Sequence, residues 1–321
     1  MAHRLRPKWR WLYLYLPLLV VLLVAGSLAW VFVRFNSIHR IDLGDALSPA
    51  SGPAVNYLLV GSDSREGIDA STPNVGAIGT NVTGHRSDTI IALRVEGGKA
   101  TMMSIPRDLW ATNVATGRNG RINAAYNQSP ANLVRTVTAN LGVAVNHYIE
   151  VDFVSFSRMV DAIGGIDIDF PHPAFDRNSG LNIITAGTHH LDGSQALAYV
   201  RSRHYVEVVD GRHVPDPTGD LGRNQRQQTF IRTVLHEVGA TRNPWTLAKV
   251  VNAAVGGMRA DTELGFGDVF SLARNLSGSD PASVVLPTRP ARKGAAAVLL
   301  LRSAEATPVL AQFGGSAHAP S

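Results

Sequence analysis

Between Arg10 and Arg34 the chain runs for 23 residues, Trp11 to Val33, without a charge. Few structures accept such a run. In a bilayer every backbone polar group needs an internal partner, and a helix supplies one within a single segment. As a helix the run is about 35 Å long at about 1.5 Å per residue, enough to cross a bilayer. Pro17 is tolerable in a membrane helix. Trp11, Tyr13, Trp30 and Phe32 suit the two interfaces. Four basic residues precede the run, whereas only Arg34 and Arg40 follow it. That imbalance predicts residues 1–10 as a cytoplasmic basic tail, 11–33 as a single transmembrane helix and the remainder outside the cell. A cleaved leader is the alternative, since Ser27-Leu28-Ala29 loosely resembles a processing site. Continuation of the apolar run through Val33 favours an uncleaved anchor.

The same segment locates the charge. The formal net charge is +5 over 321 residues. Residues 1–40 hold six basic residues and no acidic ones, which leaves 24 basic against 25 acidic in the rest. The electrostatic footprint of a nucleic-acid-binding domain is absent. The chain has no cysteine, which excludes disulfides, thiolate metal sites and cysteine nucleophiles.

Residues 34–52 read as a linker, with Ser, Pro, Gly and Ala, and 53–310 as a globular domain. Val55–Val60 is a short apolar run ending at Gly61, the pattern of a buried strand. Gly67 to Gly84 reads as a long polar loop. Thr89–Val95 and Ala100–Ile105 flank Glu96-Gly97-Gly98-Lys99, a hairpin signal. Pro130–Leu141 reads as a helix and His147–Val151 as a strand. Asp152 caps a helix through Ile163 that Gly164-Gly165 ends, and Ile166–Phe170 is the next strand. Ser194–Val200, Leu221–Val238, Trp245–Val255 and Leu264–Leu276 read as helices, with late strands at Ser283–Leu286 and Ala296–Leu301. Strands alternating with helices predict an α/β layer structure with helices on both sheet faces. Residues 311–321, small and polar from about Gly314, are expected to form a disordered tail.

The helix at 221–238 carries the most informative pattern. Phe230, Ile231, Val234 and Val238 make one apolar stripe. Stepping back by four from Ile231 reaches Gln227 and then Arg223. Polar groups on a buried face are costly without partners. Together with Arg201 and Arg203 just upstream, they converge arginine forks on a helix start, a combination that suits a phosphate. The competing interpretation is a structural Arg–Asp network around Asp220.

Further polar residues fall at strand ends. Asp63 follows the first strand and Asp88 immediately precedes the second, and ligands bind at strand ends in open α/β sheets. The two carboxylates can hold Mg²⁺, or Mn²⁺, alongside substrate phosphate oxygens. Taken singly, an Asp at such a place is more often a loop cap than a metal ligand. Pro106 stops a strand and fixes the exit of Arg107. His85 is a loop residue beside these groups. No GxSxG, Walker A, HExxH or strand–GxGxxG–helix pattern is present.

The ordered motifs Leu58-Leu-Val-Gly-Ser-Asp63, Arg86-Ser-Asp88-Thr89, Ile105-Pro-Arg107-Asp108, Asp152-Phe…Val160-Asp-Ala-Ile-Gly-Gly165, Leu191-Asp-Gly-x-x-Ala196-Leu-Ala-Tyr-Val-Arg201-Ser-Arg203 and Asp220-x-x-Arg223-x-x-Arg226-Gln227-Gln228 resemble the LytR–CpsA–Psr family. Each motif is weak alone, and their order is specific. The resemblance implies a three-layer α/β/α sandwich with a central mixed sheet, outside the cytoplasmic membrane. It implies a Mg²⁺-dependent phosphotransferase that moves a glycopolymer (arabinogalactan, teichoic-acid-like or capsular) from a polyprenyl-(pyro)phosphate carrier onto peptidoglycan. Asp63 and Asp88 match the family's metal positions. Arg86, Arg107, Arg201, Arg203, Arg223 and Gln227 match its pyrophosphate clamp, and Asp220 its acidic site position. The base that takes the acceptor proton is either Asp63 or Asp220. Phe153, Phe156, Met159 and Val160 either line a groove for the isoprenoid tail or pack in the core. One departure is Asn127-Gln128-Ser129, where the family usually has a Gly-Gly pair. Two other functions are compatible with the same residues: a non-catalytic membrane-anchored regulator or lipid-binding scaffold, and a lipid pyrophosphatase using water.

Overall fold

The computed structural model describes residues 9–62, 87–217, 220–241, 243–276 and 281–320. The chain divides into two units, 1–37 and 38–321. The first contains one helix, α1 (Trp9–Asn36, 28 residues), many of whose side chains lie outside the described residues. Among the described residues no helix is long and apolar enough to cross a membrane.

The second unit is built on a sheet of seven strands among the described residues. Their order is β1 (His39–Ile41), β14 (Met258–Asp261), β7 (His147–Asp152), β2 (Val55–Ser62), β3 (Ser87–Glu96), β4 (Lys99–Ser104) and β15 (Ala282–Val285). The pairs β1/β14, β7/β2 and β4/β15 are parallel and the others antiparallel, so the sheet is mixed, as expected. The expected hairpin joins β3 to β4, and Gly97 and Gly98 both have positive φ (57° and 80°), the conformation a tight two-residue turn demands.

The apolar run in β2 is continuous because both sheet faces are covered. On one face Leu58, Val60, Ile90, Ala92, Met103 and Tyr148 pack with Leu133, Val134, Val137 and Leu141. These last four come from α3 (Pro130–Leu141), which follows the short α2 (Asn123–Tyr126). Ser129 caps α3 by accepting from Asn132 N–H at 3.1 Å, and Gln128 Oε1 accepts from Asn132 Nδ2 at 2.9 Å. The unusual Asn127-Gln128-Ser129 thus has a structural use as a helix start. Buried on this face, the Glu150 carboxylate accepts from Tyr126 and Tyr148 hydroxyls at 2.7 and 2.8 Å.

The other face meets α4 (Phe153–Ile163) and α6 (Asp220–Ala240), with α5 (Gly193–Arg201) and α7 (Pro244–Val255) packed against α4. Asp152 caps α4 through Ser155 N–H at 2.7 Å, and Gly164 ends it at φ 94°. A second core cluster lies among these helices and small sheets. One small sheet pairs β8 (Ile166–Phe170) with β11 (Gly187–Leu191). Another has the order β10 (Leu181–Ile183), β9 (Ala174–Asp176), β12 (Val206–Val209), β13 (Arg212–Pro215). The remaining elements are the hairpins β5/β6 (Trp110–Thr112, Asn119–Arg121) and β16/β17 (Thr288–Lys293, Ala296–Leu301), with α8 (Phe266–Leu276) and α9 (Ser303–Ala311).

Two expectations are corrected. The presumed linker 34–52 is largely part of the domain: β1 joins the sheet edge, Leu43 and Ala46 are in the main core, and Ser48 N–H donates to Val145 O at 2.7 Å. The presumed disordered tail 311–321 is tied down from Ala311 to His318. Ser316 N–H donates to Leu141 O at 2.9 Å and His318 N–H to Asn140 O at 2.8 Å, while Phe313 is fully buried. Its small residues allow backbone to approach the end of α3, where composition alone reads as disorder.

The start of α5 is pressed onto α4. Gly193 N–H donates to Asp161 Oδ1 at 2.8 Å, and a Cβ at Gly193 would stand 2.2 Å from Ser157 O. Backbone oxygen cannot move aside as a flexible side chain can. Gly193→Ala is therefore expected to lower the unfolding free energy by about 2–3 kcal/mol, read as a reduced midpoint in urea denaturation.

Candidate active site

The second sheet face is not filled. Between it and the helices lies a cavity of about 470 Å³. Leu59, Ile91, Ile149 and Val151 line it from the sheet. Phe156 and Met159 of α4, Val200 of α5, and Phe230, Ile231 and Val234 of α6 line it from the helices. The Phe156 and Phe230 rings stand 4.6 Å apart. Of the four residues offered for a tail groove, Phe156 and Met159 are in the wall. Val160 is buried in the neighbouring core, and the Phe153 side chain lies outside the described residues.

Arginines bring charge to the same cavity. Arg107, Arg201, Arg203 and Arg223 line it, together with Gln227, Asn178, Ser179, His204 and Asp176. Arg107 comes from the turn after β4, with its Nε 3.5 Å from Asp108 Oδ2. Arg201 ends α5, and Arg203 follows it across Ser202. Arg223 and Gln227 come from the first turns of α6 and are only 2% and 7% exposed. The four-residue stepping from Ile231 through Gln227 to Arg223 is therefore the inward face of α6, as the sequence pattern predicts. Gln227 Nε2 also donates to Val200 O at 3.3 Å, tying α6 to α5.

Two groups set the arginine turn in place. Asp176 at the end of β9 is 1% exposed. Its Oδ2 accepts from Ser202 Oγ at 2.8 Å and from Arg203 and His204 N–H at 2.9 Å each; its Oδ1 accepts from Asn178 N–H at 2.9 Å. Burial pushes the Asp176 carboxyl up, but these hydrogen bonds outweigh it and hold the group below the usual carboxylate range. Arg226 is the second. It donates to Asp216 Oδ2 at 2.7 Å and to Ser202 O at 3.0 Å, and its guanidinium lies 4.4 Å from the Tyr205 ring centroid. Sequence reasoning missed Asp176 altogether and saw Arg226 only within a motif. The available signal was an Asp-x-Asn-Ser turn after an apolar residue, Phe175-Asp176 to Ser179.

Among the described residues, four guanidiniums and one ionised carboxylate line the cavity, so it favours an anion. Of the other predicted site residues, Asp63, Arg86 and His85 lie outside the described residues. Asp220 opens α6 and Asp88 lies in β3, but their side chains are not among those described. The backbone register still informs the metal reading. Gly61 pairs with Thr89 and Ser62 with Ser87, so Asp88 is the extra residue of a bulge beside the last described residue of β2. Bulges of this kind occur next to active sites. Asp63, next in sequence to Ser62, lies outside the described residues. Among the described residues no group of three or more His, Asp or Glu side chains forms a metal site.

A profile described as the LytR_cpsA_psr family matches residues 36–303. A Corynebacterium glutamicum protein named a probable cell wall biosynthesis protein LcpB is 34% identical over 262 residues, covering 78% of this chain and 59% of the relative. The chain thus spans about three-fifths of that relative's length. An Oceanobacillus iheyensis protein named polyisoprenyl-teichoic acid–peptidoglycan teichoic acid transferase TagU is 28% identical over 302 residues, covering 86% of this chain and 84% of the relative. Among solved structures, a LytR-Csp2A-Psr enzyme from Actinomyces oris matches with a TM-score of 0.69 at 27% identity, covering 87% of this chain and 96% of that one.

The Asp176 network has a pH signature. The folded-state pKa is below the unfolded value of 3.8, so its stabilisation is present above about pH 4 and lost as pH falls through the folded value. Asp176→Asn places an amide N–H₂ among N–H donors and is expected to cost about 2–3 kcal/mol at pH 7. Urea unfolding of both proteins should show that gap narrowing below about pH 4, and a constant gap would refute the assignment.

Proposed function

Because the chain belongs to the LytR–CpsA–Psr family, we propose that it is a transferase moving a glycopolymer from a polyprenyl-(pyro)phosphate carrier onto peptidoglycan. The observation that carries this is the union of two chemistries in one cavity. Four arginines suit phosphate oxygens, and the apolar remainder suits an isoprenoid chain. The relatives' names supply the acceptor and polymer class: one is named for cell wall biosynthesis and another for transfer of teichoic acid to peptidoglycan.

In the proposed reaction a sugar hydroxyl of peptidoglycan attacks the phosphorus nearest the glycan. A P–O bond forms, and the P–O bond to polyprenyl phosphate breaks. The product is a glycan–phosphate–peptidoglycan diester, and the leaving group is polyprenyl phosphate. Phosphoryl transfer demands chiefly positioning and charge stabilisation. Arg107, Arg201, Arg203 and Arg223 neutralise the phosphate oxygens as the leaving group departs. Asp63 and Asp88 would hold Mg²⁺ (or Mn²⁺), which when bound adds positive charge against those oxygens. The hydroxyl proton goes to Asp63 or Asp220. Asp176 is a poor base, since its hydrogen bonds stabilise the ionised form.

We also assign the run Trp11–Val33, many of whose side chains lie outside the described residues, as a single-pass anchor in the cytoplasmic membrane, with the catalytic domain outside. Its support is in the sequence: the run carries no charge, and basic residues are in excess before it. A membrane-bound domain is well placed to meet a lipid-linked donor.

Arg201→Ala is expected to lower transfer from lipid-linked donor to peptidoglycan by about 10²–10³-fold, with an unchanged thermal midpoint. Undiminished transfer in that variant would sink the catalytic reading in favour of a scaffold. Glycan release independent of added peptidoglycan would favour a hydrolase. Chelation with EDTA should abolish transfer by the unaltered protein, and added Mg²⁺ should restore it; activity indifferent to chelation removes the metal from the proposal.

A further inference from the structure

The turn joining β9 to β10, residues 177–180, has two sides. Asn178 and Ser179 line the arginine cavity. Arg177 and Gly180 line a second recess, of about 470 Å³, on the outer face of the small sheet. Asp176 contributes to both. One short turn is therefore the partition between two sites.

The recess is made by strand alternation. In β9 and β10, Ala174, Asp176, Leu181 and Ile183 are buried, while Phe175 is half-buried and Asn182 exposed. Phe175 pairs with Asn182 on one side and Val206 on the other, and Val208 pairs with His213. Period-two alternation puts Asn182, Phe175, Val206, Val208 and His213 on one face. The Phe175 ring meets the His213 ring edge-on, with centroids 5.2 Å apart. Phe175, Asn182 and His213 line the recess with Arg177 and Gly180.

We propose that this recess is the subsite for the acceptor saccharide. The inference rests on the transferase reading above. Its first argument is proximity: a two-substrate transfer needs the acceptor beside the donor phosphate, and the two sites share Asp176 and divide the residues of the 177–180 turn between them. The second is shape. Arg177, Gly180, Asn182 and His213 are all exposed, so an interior sugar of a long polymer can lie across the recess. The third is chemistry. An aromatic ring offers a surface for the apolar side of a pyranose. The Asn182 amide, the Arg177 guanidinium and the His213 imidazole offer donors and acceptors for hydroxyl and N-acetyl groups. Among the described residues Arg177 is the single arginine lining the recess, and the Asp176 oxygens are already accepting hydrogen bonds. A phosphate belongs with the four arginines, and an uncharged or weakly charged sugar belongs here.

The test is a titration of the full chain in detergent with muramidase-released peptidoglycan oligosaccharides of alternating N-acetylglucosamine and N-acetylmuramic acid. Phe175→Ala and Asn182→Ala should each weaken binding at least about tenfold. Phe175→Tyr keeps the ring and should keep the affinity. All three should bind polyprenyl phosphate as the unaltered protein does and unfold at the same temperature. Asn182 is exposed, so its variant reports on binding even if Phe175→Ala folds poorly. Oligosaccharide binding that is absent from the unaltered protein, or untouched in Asn182→Ala and Phe175→Ala, overturns the proposal. Oligosaccharide binding that depends on Phe175 and Asn182, in a protein that transfers no glycan, would uphold the recess and overturn the transferase reading.

Discussion

A buried carboxylate decides where the arginines stand. Asp176 is almost wholly removed from water, a costly state for a charge. Its cost is offset by a hydroxyl and several backbone N–H groups, three of these donors coming from Ser202, Arg203 and His204. That geometry fixes the chain immediately after α5, and therefore the positions from which Arg201 and Arg203 reach the cavity. Arg226 secures the same turn from the opposite side through Ser202 O and Asp216. Preorganisation of this kind is what an electrostatic site requires, because charges already in place need no rearrangement when the reaction demands them.

The central sheet divides the labour between its faces. One face is packed solid by α3 and the C-terminal segment. The other supports a cavity whose wall changes from aliphatic and aromatic to guanidinium. The change occurs along α6, where steps of four residues from Ile231 toward the N-terminus reach Gln227 and then Arg223. A helix that buries apolar groups at one end and arginines at the other can serve an amphipathic ligand with a single element. The small sheet then adds a solvent-facing wall to the polar end, and its β9–β10 turn shares residues between the cavity and the outer recess.

Much of this was legible from local pattern. Pro130–Leu141 is a helix with the boundaries its Ser-Pro start and Gly142 end predict, and Asp152 and Gly164 bound α4 as capping chemistry requires. The inward polar face of α6 was readable because helical periodicity is a property of the backbone alone. The short strands β9, β10, β12 and β13 were not read, since three- and four-residue strands hold too few alternations to register. Residues 34–52 and the last residues were misjudged for a related reason. Small and polar residues are read as solvated, yet Leu43, Ala46 and Phe313 are buried and the intervening backbone is paired with distant elements.

The sequence by itself determined the class of elements, the family, the uncharged run and the set of arginines. Each of these depends on periodicity, capping or the order of motifs, which are carried by neighbouring residues. Only the tertiary structure decided that Asp176 and Arg226 brace the arginine turn, that Gln227 ties α6 to α5, and that a cavity remains between sheet and helices. Asp176 lies 27 residues from Arg203 and Arg107 far from both. Contacts at such separations follow from which faces pack together, and no local pattern records that choice.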